Sequence, residues 1–204
     1  MAQTGVAGGL TVLKAFGVPK VYPGIHIGIE IPRDSEVSYF GRITYTLPNY
    51  VSDSMQVEAI DLNTYPYVDY KDVRLGMNYF NIEGGTRYYL GGNGYDYGWS
   101  AYGGSLLMLS INTVKFKVDE EFDESKYRFS DASGNDLPEK GSIVALSFGL
   151  NAGVKNHWSF GMLYFDINLA YSLFALPSNQ LAQTKSSFSP LLFGFNLGFR
   201  KDLY

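Results

Sequence analysis

The sequence predicts an all-β protein: a closed, antiparallel, up-and-down β-barrel of about eight strands that spans a membrane. Residues 142–174 form a hairpin with arms of about a dozen residues or more, whereas strands of soluble sheets run about five or six. Each arm alternates an apolar face with a small or polar face, the period of two of a β-strand. Between 142 and 199 the only charged residues are Lys155, Asp166 and Lys185. We therefore expect the apolar face to contact lipid, with Lys155 in the turn and Asp166 on the polar face.

Composition agrees with this fold and excludes other classes. The chain has 204 residues, with 17 Tyr, 14 Phe and 23 Gly, residue types that form aromatic girdles and let a curved sheet bend. No apolar run approaches the roughly 20 residues of a spanning helix, so any spanning is by strands. The net charge of -4 with no basic stripe argues against a nucleic-acid partner, and zero Cys excludes disulfides and thiolate metal sites. Met1-Ala2-Gln3 fits either the end of a removed export signal or a cloned initiator Met.

The first half of the chain is predicted to contain five barrel strands. Residues 1–20 form an N-terminal segment that lies in the periplasm, plugs the lumen or adds a strand, and the barrel takes up 21–204. Alternation predicts strands over 21–32 and 38–48, joined by the loop RDSEV. PNYVSD then forms a turn, and a third strand with blurred alternation runs through SMQVEAIDL. Residues 63–76 form a Tyr-rich loop before strands at 77–90 and 97–113, which the turn GGNGYD connects.

The second half carries one long loop and three strands. Residues 114–141 are strongly charged and form the long outer loop. In strand five, the LLML run suggests a bulge or a change of face. The hairpin at 142–174, with its turn at KNHW, gives strands six and seven, and FSPLLFGFNLGF gives strand eight. Counted from a periplasmic N-terminus, PNYVSD, GGNGYD and KNHW are the short connections, as the periplasmic turns of outer-membrane barrels are.

Residues 21–199 resemble the small outer-membrane β-barrel family of Gram-negative bacteria, of the eight-stranded OmpA, OmpX and OmpW type. The Gly- and Tyr-rich texture resembles the barrels of Bacteroidota. The ending FGFNLGF resembles the C-terminal signal read by barrel-assembly machinery, although five residues follow it, so either Phe199 or Tyr204 is the terminal aromatic residue. The resemblance implies location in the cell outer membrane, with outer-membrane lipid and other outer-membrane or periplasmic proteins as partners.

Polar residues on the inward faces predict a charged network in the lumen. An eight-stranded barrel is just wide enough for side chains to fill, and buried charges there must be paired. We expect Glu30, Glu83 and Asp166 to face Arg42 and Arg87, and the alternative is a proton or ion path. The full inward set is His26, Glu30, Arg42, Asn81, Glu83, Arg87, Asp166, Asn168 and Asn196, with Arg200 as a possible addition.

The sequence contains no catalytic motif. Hydrolysis or acyl transfer would need a nucleophile beside a base, and the two histidines are His26 in a strand and His157 beside Trp158, which we interpret as an interface anchor. A set of His26, Asp166 and a lumenal Ser is the one enzymatic alternative, and local spacing does not support it. We predict no enzyme activity, no cofactor and no metal.

The outer loop carries the acidic residues that we predict to meet a partner: Asp119, Glu120, Glu121, Asp123 and Glu124. With Asp131, Asn135 and Asp136 they are an alternative calcium site, although the EF-hand spacing is missing and an exposed charge run is usually just solvated. Tyr65, Tyr67, Tyr70, Tyr95 and Tyr97 are either contact surfaces or part of the aromatic girdle.

Three functions remain open from the sequence. The first is a barrel with a filled polar lumen that acts as a structural or interaction subunit of a larger secretion or assembly complex. The second is a narrow porin or carrier for small solutes. The third is a soluble, lipocalin-like barrel with its apolar faces turned inward, which the scarcity of Lys and Glu in the strands disfavours.

Overall fold

The computed structural model describes residues 4–90, 96–118, 123, 125–129, 140–178 and 189–203, and these residues form ten β-strands. Within them, no helix is long and apolar enough to cross a membrane. The strands are β1 (Gly5–Ala15), β2 (Val21–Pro32), β3 (Val37–Thr46), β4 (Asn49–Ala59), β5 (Val68–Leu90), β6 (Gly98–Val118), β7 (Tyr127–Phe129), β8 (Lys140–Trp158), β9 (Gly161–Pro177) and β10 (Leu191–Asp202).

Eight of the strands close into a ring. Each strand pairs antiparallel with its neighbours in the order β1, β2, β3, β5, β6, β8, β9, β10, and β10 returns to β1. The predicted fold class, an all-β closed antiparallel barrel of eight strands, is confirmed. Closure leaves no open sheet edge at the level of the membrane, which is the condition for crossing lipid with strands.

The pairing register determines the tilt of the strands. A row of paired residues that starts at Ala101 passes through Val154, Phe165, Leu197, Leu10, Ile25, Tyr45 and Phe80, and returns to β6 at Ile111, ten residues further along. A shear of ten over eight strands corresponds to a tilt of about 41°, for a rise of about 3.3 Å per residue and a strand spacing of about 4.8 Å. Each residue therefore advances about 2.5 Å along the barrel axis.

Part of the sheet continues beyond the ring. β3 and β4 are separated only by Leu47 and Pro48, and both pair with β5, β3 with its second half and β4 with its first. β4 also pairs with β7. We call β4, residues 68–77 of β5, residues 114–118 of β6, and β7 the outer extension. Val57, Val73 and Phe129 form a small apolar cluster in it.

The two ends of the barrel differ in their connections. Gly5 pairs with Asp202, so both chain termini lie at the end that also carries the short connections at 33–36 and 159–160. The opposite end carries the outer extension and the longer connections. Short turns mark the periplasmic end of such barrels, so the outer extension faces away from the cell.

The strand assignment from the sequence needs four corrections. β1, within the N-terminal segment 1–20, is a barrel strand between β2 and β10, so the barrel begins at Gly5 and not at 21. PNYVSD is not a turn, because β4 begins inside it, and residues 54–59 belong to the outer extension. RDSEV is therefore a periplasmic turn. The count of eight was right because one missed strand offset one strand too many.

The turn of the long hairpin was also placed wrongly. β8 runs through KNHW to Trp158, and the chain turns at Ser159 and Phe160. Lys155 is therefore a strand residue, and its side chain is fully buried inside the barrel. The LLML run keeps its alternation without a change of face: Leu106 and Met108 point inward, and Leu107 and Leu109 point outward.

The outward face of the ring is apolar and the inward face is mixed. Ile25, Ile27, Ile29 and Ile31 of β2 are all exposed, while His26 and Glu30 between them are buried. The outward apolar side chains form a belt around the barrel. The soluble, lipocalin-like alternative is therefore wrong, because it requires the apolar faces to point inward.

Candidate functional site

All nine polar residues predicted to face the lumen, and Arg200, have side chains inside the barrel. None of the ten is more than 6% exposed. They lie on β2, β3, β5, β9 and β10, at the inward positions of the two-residue period. Their burial has the simple cause that a ring of eight strands leaves an interior that side chains fill.

Arg42 is held by two carboxylates. Its Nη2 lies 2.5 Å and its Nε 3.1 Å from Glu83 Oε2, and its Nη1 donates to Asp166 Oδ1 at 3.3 Å. Arg42 and Glu83 are direct cross-strand partners on β3 and β5. Thr44 and Asn168 donate further hydrogen bonds to Glu83, at 2.9 and 3.1 Å.

Arg87 joins a second pair of carboxylates. Its Nη1 lies 2.5 Å from Glu30 Oε2 and its Nη2 lies 2.9 Å from Asp166 Oδ2. The guanidinium also stacks over the rings of Phe40 and Tyr102, with centroid distances of 4.7 and 4.8 Å. Asp166 therefore bridges the two arginines, and Asn196 donates to its Oδ1 at 2.7 Å.

The network continues toward the periplasmic end. Arg200 Nη1 lies 3.0 Å from Glu30 Oε1, and its Nη2 lies 2.9 Å from Asp202 Oδ1. Lys155 Nζ stands 4.6 Å from the centre of the Tyr89 ring. Sequence reasoning missed Lys155 as a lumen residue, although it continues the inward alternation of Asn151 and Gly153.

The charges of this network balance. Four cationic side chains, Arg42, Arg87, Arg200 and Lys155, share the lumen with four carboxylates, Glu30, Glu83, Asp166 and Asp202. In a low-dielectric interior an unpaired charge costs several kcal/mol, so equal numbers in direct contact are what makes such an interior tolerable.

Tyrosines complete the network, and sequence reasoning had assigned none of them to it. Tyr102 donates to Asp166 at 3.2 Å, Tyr89 donates to Glu30, and the Tyr164 hydroxyl lies 2.6 Å from His26 Nε2. Glycines make room for these rings. A Cβ on Gly153 would lie 2.7 Å from the Tyr102 ring, and one on Gly198 would lie 2.4 Å from that of Tyr164.

The outer half of the lumen is apolar, which the sequence reading did not predict. Buried apolar side chains from β1, β2, β5, β6 and β10 pack together there. We call this group the outer apolar layer, and its members are Leu13, Ala15, Tyr22, Leu75, Met77, Tyr79, Val114 and Leu192. Every second residue of these strands still points inward, but near the outer end the inward residue is apolar.

The lumen is filled at both levels. Among Glu30, Arg42, Arg87 and Tyr164 the remaining space is about 10 Å³, room for about one water molecule at most. Above it, the outer apolar layer offers no polar groups on which a file of water could be held.

The residues of the enzymatic alternative have other partners. His26 bonds to Tyr164, and Asp166 is occupied by the two arginines and Asn196, so these two groups do not form a relay to a serine. Within the described part of the chain, no group of three or more His, Asp or Glu side chains is placed to hold a metal ion.

The acidic outer loop falls largely outside the described residues. Asp119, Glu120, Glu121 and Glu124 lie there, as do Asp131, Asn135 and Asp136 of the calcium alternative. Asp123 is exposed, lies 3.2 Å from Lys126 Nζ and accepts hydrogen bonds from Ser125, and these contacts lower its pKa below the ordinary value.

The predicted tyrosine surfaces fall into two places. Tyr65, Tyr67 and Tyr70 are exposed at the outer end of the β4–β5 hairpin. Tyr97 is exposed at the periplasmic end, where it packs against His157, and Tyr95 lies outside the described residues.

Comparison with known proteins supports the fold. No family model matches the sequence, and no curated protein matches it. Among solved structures, a major outer membrane protein from Thermus thermophilus superposes with a TM-score of 0.53 at 9% identity, covering 98% of this chain and 99% of that one.

Two other solved structures are similar to the same degree. Ail, the attachment invasion locus protein of Yersinia pestis, gives a TM-score of 0.52 at 12% identity and covers 98% of this chain and 99% of its own. Neisserial surface protein A gives 0.51 at 12% identity, with 98% and 96% covered. At these identities the likeness concerns the fold.

The closed ring, its outward apolar belt and these structural neighbours lead to one conclusion. The chain is a small outer-membrane β-barrel with a filled lumen, and its predicted location, the cell outer membrane, is confirmed.

Proposed function

We propose that this barrel is a non-enzymatic, non-conducting interaction subunit of a larger outer-membrane complex, which meets its partner through the outer extension. The observation that carries this proposal is the apolar tip of the β4–β5 hairpin. Leu62 is 86% and Tyr65 93% exposed, and Ile60, Tyr67 and Tyr70 are exposed beside them. Contiguous exposed apolar surface is typical of protein interaction sites.

The distance of this tip from the membrane separates it from the aromatic girdle. Tyr70 lies ten residues beyond Phe80 along β5, so it stands about 25 Å further out along the axis. That is beyond the lipid headgroups, which add only about 5 to 8 Å on each side of the hydrocarbon core. An aromatic residue at this height is available to a partner and not to the bilayer.

The base of the extension is built to hold the tip in place. β4 and β5 pair continuously from Asn49 with Met77 to Glu58 with Val68, and the cluster of Val57, Val73 and Phe129 packs behind the tip. β7 comes from the acidic loop and pairs with β4. The predicted loop surface and the hairpin tip therefore belong to the same projection.

The filled lumen supports the non-conducting part of the proposal. A narrow porin, the alternative function, needs a continuous aqueous path, and both levels of the lumen are occupied by packed side chains. The interaction role and the absence of enzyme activity are proposals, and so is a Bacteroidota source, which the Gly- and Tyr-rich composition supports.

The test is the native mass of the tagged protein extracted from its own membranes in mild detergent. We expect a particle well above one 22.7 kDa chain plus its micelle, with other chains recovered. A variant with Leu62→Ser, Tyr65→Ser and Tyr70→Ser should still insert but lose those chains.

Two further variants sharpen the result. Tyr97→Ser with Leu203→Ser removes exposed apolar side chains at the periplasmic end and should keep the partner. Deleting 130–139, which leaves β6, β7 and β8 intact, asks whether the acidic loop contributes. A single-chain particle for the unchanged protein, or full partner recovery with the tip variant, would contradict the proposal.

A further inference from the structure

Four cationic side chains share one outward face just beyond the apolar belt. Lys115 and Lys117 continue the outward face of β6 past Leu109 and Ile111. Lys140 lies on β8 four residues before Val144, and Arg74 lies on β5. We call Arg74, Lys115, Lys117 and Lys140 the basic patch.

Pairing brings these residues from separate parts of the chain into contact distance. Arg74 is the direct cross-strand partner of Lys117, and Lys115 is the partner of Lys140. Opposed residues in an antiparallel pair have Cβ atoms about 4.5–5.5 Å apart, and like charges at that distance destabilise the sheet. Two such pairs side by side are what an anion bound on the sheet would stabilise.

The height of the patch indicates which anion is present. Lys115 stands four residues beyond Ile111, about 10 Å further out along the axis. A lysine side chain bends back along its stem toward the interface, so its ammonium group comes down to the headgroup layer. The patch is on the face turned toward lipid and at the end turned away from the cell, so the charged groups within its reach are those of the outer leaflet.

Other charges on this face leave the patch positive. Asp72 shares the outward face of β5 with Arg74 and lies on the side of it away from the membrane. Arg74 and Lys140 each have a further interaction of their own. The test below therefore uses Lys115 and Lys117.

We propose that the basic patch binds the phosphate groups of an anionic glycolipid of the outer leaflet, a multiply acylated and phosphorylated disaccharide. Its acyl chains lie along the apolar outward faces of β6 and β8, beside Leu109, Val144 and Phe148, while its phosphates lie between the paired cations. The inference is independent of the partner proposed above, because it uses a different face of the barrel.

The experiment counts lipids retained by the full-length barrel in native mass spectrometry, after titration with diphosphorylated lipid A or its dephosphorylated form. Each lysine near an anionic surface contributes about 1 kcal/mol, so Lys115→Gln with Lys117→Gln should weaken binding of the diphosphorylated lipid about 25-fold. The unchanged protein should prefer the diphosphorylated form. A control with Lys20→Gln and Arg33→Gln removes the same charge from the first outer turn and a periplasmic turn and should bind normally.

Three results would overturn the proposal: equal retention of the two lipids, equal weakening in the control, or full displacement of the lipid by millimolar inorganic phosphate, which would make the patch a site for free phosphate. Folding of each variant is checked by its heat-dependent mobility in detergent gels. If the double variant does not fold, Lys117→Gln and Lys140→Gln are tested singly, each with an expected loss of about fivefold.

Discussion

Replacing Asp166 by asparagine tests whether the lumen is held by balanced charges. The substitution keeps the shape of the side chain and removes the one negative charge that both Arg42 and Arg87 contact, at 3.3 and 2.9 Å. Each arginine keeps a second carboxylate, Glu83 or Glu30, but the lumen as a whole gains one uncompensated positive charge.

The expected cost follows from burial. Asp166 is 1% exposed, and removing one partner of a fully buried ion pair costs about 3–5 kcal/mol. Asp69→Asn is the matched control, because Asp69 pairs with Lys71 at 3.3 Å on the outer extension with its side chain 40% exposed. A pair at that exposure contributes about 0–1 kcal/mol.

The assay is urea unfolding of the barrel from lipid vesicles, followed by the fluorescence of Trp99 and Trp158 and extrapolated linearly to water. Adding Arg42→Met to Asp166→Asn restores the charge balance, so the double variant should lose less stability than Asp166→Asn and Arg42→Met lose in sum. A loss below about 1 kcal/mol for Asp166→Asn, or a loss equal to that of Asp69→Asn, would refute the reasoning.

Three further predictions concern the membrane belt, the outer apolar layer and the closed lumen. Ile27→Lys places a charge at a lipid-facing position that is 61% exposed and should cost about 2–4 kcal/mol in the same assay, whereas Leu62→Lys at the hairpin tip should cost almost nothing; equal costs would place Ile27 outside lipid. Met77→Ala removes a fully buried side chain from the outer apolar layer and should cost about 2–5 kcal/mol, and a loss below about 1 kcal/mol would show that the layer is loosely packed. The unchanged barrel should show no conductance above bare lipid in a planar bilayer, because both levels of its lumen are filled, and reproducible current steps would favour the porin alternative.

The alternation of residues predicted the faces of the strands well, because lipid imposes a strict rule on every second residue. Leu163, Phe165 and Ile167 are exposed, and Asp166 and Asn168 between them are buried. The same rule failed at β1, where Gly5, Gly8 and Gly9 dilute the pattern. Gly5 has no side chain because the Arg200 side chain takes up that space, with atoms 2.7–2.8 Å from an added Cβ.

Other features depend on distant parts of the chain and have no local signal. Tyr89, Tyr102 and Tyr164 have the composition of a girdle but lie inside, because each has a charged residue or a histidine of another strand to bond with. Pro48 suggested a turn, yet β5 pairs on both sides of it, so the proline only interrupts one long run of pairing. The partner strand determined that outcome.

The position of Arg200 has a consequence for assembly. Its guanidinium reaches Glu30 across β1, so this contact joins the last strand to the second strand and spans the seam between the two ends of the chain. Arg42 and Glu83, by contrast, sit on adjacent strands and can meet while the sheet is still open. Until the seam shuts, Arg200 and Glu30 each carry a charge with no counterpart across it, and entering hydrocarbon in that state is costly. Shutting the seam and neutralising these two side chains are therefore one event, which makes the pair a latch for the finished cylinder.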